Sequence, residues 1–396
     1  MTYRIRYSQN GMEKLNQLLS GVGKTVEKTL RKSAQFGAKW LGLDLLSKNQ
    51  TKAYLADYLV ATYQGNSLTL PAVMNLADPD RLVFTQTEVS TEPTRVWRYE
   101  RGQKQATLLP CGVLLTDKKV LNTDYWSHDI FKGPLNRKKR TKQNTQTLIA
   151  PFSHYFDGDV FVGYYDFMFL VAAKICRIKA TLSTDELANA IVSYPLVNTA
   201  YEREFMELMG FRPDQIVDSR LTSIRFENCL LGNHDNWAHQ NAADVIALKT
   251  QIEEKLQVKR TVRNRVYISR AGRRRILNEE ALIAMLSRYD FQIIEDKPRT
   301  IAEQCAIYKN ASFIIGPHGA SFTNFIWCEP GTQVVELFST KYAPDYFLYL
   351  AELTGLRYSA YCQGDISSLD METIGDDIVV SIPDLERCLI GLFALN

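Results

Sequence analysis

Eight basic residues crowd into one short stretch: Lys259, Arg260, Arg263, Arg265, Arg270, Arg273, Arg274 and Arg275, with no acidic residue among them. The stretch straddles the end of a predicted strand, Arg265 to Ser269, and the loop behind it. In open α/β sheets, ligands bind at the C-terminal ends of strands. An arginine there can grip phosphate with two parallel hydrogen bonds, each charge-assisted bond contributing about 1.5–3 kcal/mol. The plainer reading is a basic surface loop. Binding of nucleic acid would require strong salt-dependent retention, and no nucleic-acid partner is expected.

A second candidate is Gly316-Pro317-His318-Gly319-Ala320-Ser321, set between an apolar strand and a helix. Gly319 lets backbone approach a ligand, and the new helix offers unpaired N–H groups to an anion. His318 stands at the strand–helix junction, where a side chain points into the cleft. Glu336 ends the next strand, a place where carboxylates pair with ribose hydroxyls; the plain alternative is a satisfied strand-end glutamate. Three other patterns carry less. Ser20-Gly-Val-Gly-Lys-Thr25 looks like a phosphate-binding loop, but Leu18 stands where the first glycine is needed and no strand leads in. Asp78-Pro-Asp80 and Asp157-Gly-Asp159 could hold Mg²⁺, yet Pro and Gly beside them favour turns. Seven scattered cysteines, without a Cys-x-x-Cys pair, form neither a disulfide framework nor a zinc site.

The elements that must position these residues follow from periodicity. From about 157 onward strands alternate with helices, several opened by capping boxes such as Ser183-Thr-Asp-Glu186, Thr199-Ala-Tyr-Glu202 and Thr300-Ile-Ala-Glu303. That alternation predicts an α/β fold with parallel sheets, in two units facing a cleft. Residues 80–122 read as β-rich and 132–147 as an exposed polar loop. Residues 11–46 read as basic amphipathic helices that dock on the body or touch an anionic membrane. The boundaries expected are 1–70 for a helical extension, 71–240 and 241–382 for the two α/β units, and 383–396 for a last helix.

Composition fits this. The 396 residues suggest two domains at roughly 100–200 residues each. The formal charge of +3 excludes a wholesale polyanion binder but not a local basic site. With 20 Tyr, 18 Phe and 5 Trp the chain needs a core. The longest apolar stretch, Val160 to Cys176, is broken by Gly163, Asp166 and Lys174, short of the ~20 apolar residues a membrane span needs. A cytoplasmic protein, in solution or at the inner membrane face, is expected.

The residues together resemble a known family. Tyr267-Ile-Ser-Arg270, Arg275-Ile-Leu-Asn278-Glu279, Glu303-Gln304, Ile315-Gly-Pro-His-Gly-Ala320 with Asn324, Pro330-Gly331 and Val335-Glu-Leu-Phe338 are similar, in order and spacing, to glycosyltransferase family 61, in its bacterial surface-polysaccharide branch. The resemblance implies an inverting enzyme of the GT-B type, with two Rossmann-like domains. The C-terminal domain would take a nucleotide-sugar donor, UDP-linked, and the N-terminal one a glycan or lipid-linked acceptor. Arg270, Arg275 and His318 would serve the diphosphate and sugar, and Glu336 the ribose. Asn278, Glu303, Gly316, Gly319, Ala320 and Asn324 complete the implied donor set. Glu303 also has a plain reading as the capping partner of Thr300. No metal and no cofactor are implied. Family members carry a histidine after a Tyr-Tyr pair, where this chain has Gly163-Tyr-Tyr-Asp166-Phe167. Asp166 is thus the candidate base for the acceptor hydroxyl. The same departure leaves open a catalytically degenerate scaffold protein of polysaccharide assembly.

Overall fold

The computed structural model describes residues 38, 42–124, 139–153, 163–234, 236–364 and 375–394. Most of the 11–46 segment, Ser20–Thr25, Asp157–Asp159, Val160–Val162 and the first residues of the 137–142 basic run lie outside them.

The chain forms a mixed α/β structure with two large sheets. The first runs Ile216–Asp218, Ile191–Tyr194, Thr141–Ala150, Thr222–Gly232, Thr94–Glu100, Leu59–Tyr63. Its first four strands are parallel and the last two antiparallel. The second runs Phe291–Ile294, Asn264–Ile268, Ala311–Pro317, Gln333–Phe338, Arg357–Cys362, Val73–Asn75, Asp78–Phe84, parallel except for the last. Counted in chain order, the parallel strands Ile216–Asp218 to Thr222–Gly232 of the first sheet read 3-2-1-4, and Phe291–Ile294 to Arg357–Cys362 of the second read 2-1-3-4-5, with Val73–Asn75 added parallel beyond them. Both are doubly wound orders, with a crevice where the winding reverses. A four-stranded and a two-stranded sheet complete the described residues.

Helices fill the space between the large sheets. One apolar cluster runs from Val96 and Ile149, through residues 165–178, to Val266, Ile314 and Val334 of the second sheet. The helix over 164–179 is central. Ten of its apolar positions are at most 1% exposed because both faces are covered, and it widens to i→i+5 bonding over Phe167–Ala172. Such widened turns recur at functional sites.

Three expectations are corrected. Within the supposedly helical 1–70, only Lys48–Tyr54 is a substantial described helix, and Leu59–Tyr63 and Ser67–Leu70 are strands. The polar stretch 141–147 is not a loop but opens the strand Thr141–Ala150. Its first six residues project into solvent-accessible surroundings and only Thr147–Ala150 are buried, so a polar pattern marks an overhanging strand. The hairpin Val73–Phe84 completes the second sheet, although it precedes every strand of the first sheet but Leu59–Tyr63. Among the described residues no helix is long and apolar enough to cross a membrane.

Where the first sheet reverses, at the ends of Thr141–Ala150 and Thr222–Gly232, the crevice is filled by charge. Lys174 donates to Asp124 (3.3 Å) and to the Phe152 carbonyl (2.5 Å), and Arg177 pairs with Asp244 and donates to the Asn233 carbonyl (2.6 Å). All four side chains are buried. Gly232 makes room, since a Cβ there would lie 2.7 Å from Lys174 Cγ. Truncating one partner of a buried pair strands the other's charge. Asp244→Ala is therefore expected to lose about 3–5 kcal/mol of stability, checked by urea denaturation.

Candidate functional site

The second sheet reverses between Asn264–Ile268 and Ala311–Pro317, so the loops leaving these strands diverge and open a crevice. Arg270 crosses it. Its Nη1 donates to the His318 carbonyl (3.2 Å) and its Nε to the Arg273 carbonyl (2.6 Å). The guanidinium lies on the backbone of Gly319. A Cβ on that residue would stand 1.6 Å from Nη1 and 2.8 Å from Cζ. Gly319 is extended (φ 176°), so the requirement is space and not a special dihedral. Gly316 is needed for the same kind of reason, since a Cβ there would come 2.9 Å from the Ile268 carbonyl oxygen. After Gly319 the short helix Ala320–Trp327 begins, its first N–H groups without partners inside the helix.

A cavity of about 720 Å³ lies against this crossing. The second unit contributes Arg270, Arg299, Gln304 and Ser321 to its wall, and the first unit contributes Tyr164 and Tyr201. Asn324, fully buried, ties the two together. Its Oδ1 accepts from Tyr164 Oη and Trp327 Nε1 (both 2.9 Å), and its Nδ2 donates to Gln304 Oε1 (2.7 Å) and the Ser321 carbonyl (3.0 Å). With every polar position engaged, Asn324 shapes the wall and has nothing left for a ligand.

His318 and Glu336 sit beneath the crossing. His318 Nδ1 meets Glu336 Oε1 at 2.5 Å, and Tyr358 Oη donates to Glu336 Oε2. Glu336 is fully buried, so neither oxygen is open to a ribose. Arg274 joins them. Its guanidinium packs 5.3 Å from the Tyr342 ring centroid, and Tyr342 is also edge-on to His318. Burial, then Arg274 and Arg270, hold the His318 imidazolium well below its usual range.

Asp166 is the third residue of the helix over 164–179. Its Oδ2 accepts from the Gly163 N–H (3.0 Å) and its Oδ1 from Trp237 Nε1 (2.6 Å). Burial pushes its carboxyl up to about 6, against those two hydrogen bonds. Trp237 packs edge-on against Tyr346 (4.7 Å), and Tyr346 reaches the His318 ring (6.2 Å). An aromatic wall thus links the carboxylate to the His318–Glu336 pair. A carboxyl titrating near 6 is suited to accept a proton at neutral pH.

Of the sequence-predicted residues, Arg270, Gly316, His318, Gly319, Ala320, Asn324 and Glu336 come together around the crossing, with Asp166 at the far end of the aromatic wall. Three do not. Arg275 turns outward and pairs with Asp377 (3.0 Å). Asn278 uses both side-chain polar atoms on the Val380 backbone (2.7 and 3.1 Å). Glu303 is exposed and caps its helix through Thr300, leaving Gln304 to face the cavity. The missed residues are Arg274, Gln304, Trp237 and Tyr358. Arg274, at a left-handed φ of +62°, is buried where its neighbours Arg273 and Arg275 are exposed. The basic stretch is also split. Its strand carries Arg265 onto Phe393 (4.1 Å) at one end, whereas Arg270 lies just beyond its other end. Asp78 and Asp80 open the strand Asp78–Phe84, just after the turn at Leu76–Ala77, and are not themselves the turn expected of them; the Asp80 N–H lies on Asp78 Oδ1 (3.3 Å). Among the described residues, no three His, Cys, Asp or Glu side chains gather as a metal site.

Comparison with known proteins adds a family. The model described as Glycosyltransferase 61 matches residues 108–335, more than half of the chain. The chain is similar to an EGF domain-specific O-linked N-acetylglucosamine transferase of Drosophila melanogaster, with 33% identity over 104 residues, 25% of this chain and 20% of the relative. It is also similar to a xylan glycosyltransferase of Arabidopsis thaliana, with 32% identity over 99 residues, 24% and 20% of the two chains. The chain spans about a fifth of the length of the curated relatives it matches. Both relatives are eukaryotic, so they speak to the family and not to its bacterial branch.

The raised carboxyl of Asp166 has a stability consequence. The folded value lies above the unfolded one, so the group's contribution is complete below pH 4 and is lost as pH rises through 6. The loss is about 3 kcal/mol at 1.36 kcal/mol per unit. Urea denaturation across pH 4–8 is expected to show this slope in the wild type and a flattened one in Asp166→Asn.

Proposed function

The chain belongs to glycosyltransferase family 61, and on that premise we propose that it is an inverting glycosyltransferase of the GT-B type. It transfers a sugar from a nucleotide-sugar donor, UDP-linked, to a glycan or lipid-linked acceptor. The observation that carries this reading is the crossing of Arg270 over Gly319 beside the cavity, at the reversal point of the second sheet.

A diphosphate set there meets the Arg270 guanidinium and the opening N–H groups of Ala320–Trp327. As the bond to the sugar breaks, negative charge grows on the departing phosphate. Fixed positive charge in a partly dry site stabilises it without reorganising at the moment of reaction. Asp166 removes the proton of the attacking acceptor hydroxyl, and its raised carboxyl matches that task. The first unit supplies the acceptor side through Tyr164 and Tyr201.

The test is a screen of uridine-, guanosine- and cytidine-linked sugars for binding and transfer. Arg270→Ala is expected to weaken donor binding about ten- to a hundredfold, the loss of one or two charge-assisted hydrogen bonds. Gly319→Ala should match it, because the methyl group displaces the guanidinium, and Arg275→Ala should stay within about twofold. Nucleotide binding without transfer to any acceptor would favour a scaffold. Equal loss in Arg275→Ala would overturn the site.

A further inference from the structure

The Glu336 carboxylate was expected on a ribose, and the structure gives it other work. It lies on Gln333–Phe338, fully buried, with one oxygen against His318 Nδ1 and the other accepting from Tyr358 Oη. His318 has no further hydrogen-bonding partner among the described residues, so Nε2 is the ring nitrogen left for chemistry. Its ring is stacked on Phe338 (5.5 Å) and walled by Tyr342 and Phe347 (5.4 and 5.3 Å), which fixes its plane.

We propose that Glu336 is a positioning residue that holds the shared proton on His318 Nδ1, so that Nε2 presents a lone pair to a substrate hydroxyl. This rests on the glycosyltransferase reading for its substrate but not for its geometry. The groups facing the pair decide where the proton sits. Tyr358, from Arg357–Cys362, donates to the carboxylate and favours its ionised form. Arg274, from the loop after Asn264–Ile268, faces Glu336 with its positive charge. Arg270 and Arg274 both oppose a charged imidazolium. Tyr342 and Tyr346 are phenols held above their usual range by burial and stay neutral. Asp345 acts on the pair only through Tyr358, whose ionisation it opposes. Burial works against a lone carboxylate and against a lone imidazolium. Burial raises the Glu336 carboxyl well above its usual range while Tyr358 and Arg274 work the other way, and the 2.5 Å contact sets any proton between the two residues on the line from Oε1 to Nδ1. The consequence is chemical. A neutral Nε2 accepts a hydrogen bond from a hydroxyl, whereas an Nε2–H would instead seek a phosphate oxygen.

The experiment has two parts, both on the full chain. Nitrogen-15 spectra of the histidine rings, with His318 assigned from its absence in His318→Gln, should show a protonated Nδ1 and a bare Nε2 at pH 7–8. A bare Nδ1 with a protonated Nε2 overturns the proposal, and this result needs no turnover. In the transfer assay, Glu336→Gln should lower kcat about ten- to a hundredfold, the range for losing a partner that orients a functional histidine. KM for the donor should hold within about twofold. An unchanged kcat also overturns it. If no donor is turned over, the glycosyltransferase reading falls while the spectra still decide the role of Glu336.

Discussion

The site depends on one close approach, the Arg270 guanidinium laid across Gly319. It joins the two strand ends that diverge at the reversal of the second sheet, and it fits only because residue 319 lacks a Cβ. Several features follow. The His318 carbonyl is committed to Arg270, which fixes the backbone from which the imidazole descends towards Glu336. The helix after Gly319 starts where its first N–H groups border the cavity. Arg274, turned inward by its positive φ, occupies the space under the crossing.

The first unit reaches this turn through Asn324 and Asp166. Asn324 binds Tyr164 of one unit and Gln304 of the other, so the helix over 164–179 is registered against the crossing. Two residues after Tyr164, Asp166 takes its place beside Trp237, just before the helix widens. Burial raises Asp166 and depresses His318. Burial thus favours a protonated Asp166 carboxyl and an uncharged His318 ring in a site otherwise dominated by arginine.

Much of the local structure was legible in the sequence because it is set by neighbours in the chain. The boxes at Ser183, Thr300 and the cap at Thr199 form as their spacing demands. The Gly-Pro-His-Gly turn lies at a strand end for the same reason. What was not legible depends on distant partners. The polar run from Thr141 gave no sign that it pairs along its whole length with Thr222–Gly232. Nothing near Val73–Phe84 marks it for the second sheet, whose edge lies almost 300 residues away. The choice between Arg274 and Arg275 turns on one dihedral and on Asp377, about a hundred positions on. Similarly, Glu303 and Gln304 are adjacent, and capping geometry sends the glutamate outward and the amide in.

The most direct measurement is a crystal structure of the full chain with UDP. The account predicts that the diphosphate lies over the Gly319 turn, bonded to Arg270 and to the first N–H groups of Ala320–Trp327, with Glu336 still paired to His318. A diphosphate bound in the first unit, or a ribose hydroxyl on a Glu336 freed from His318, would contradict it.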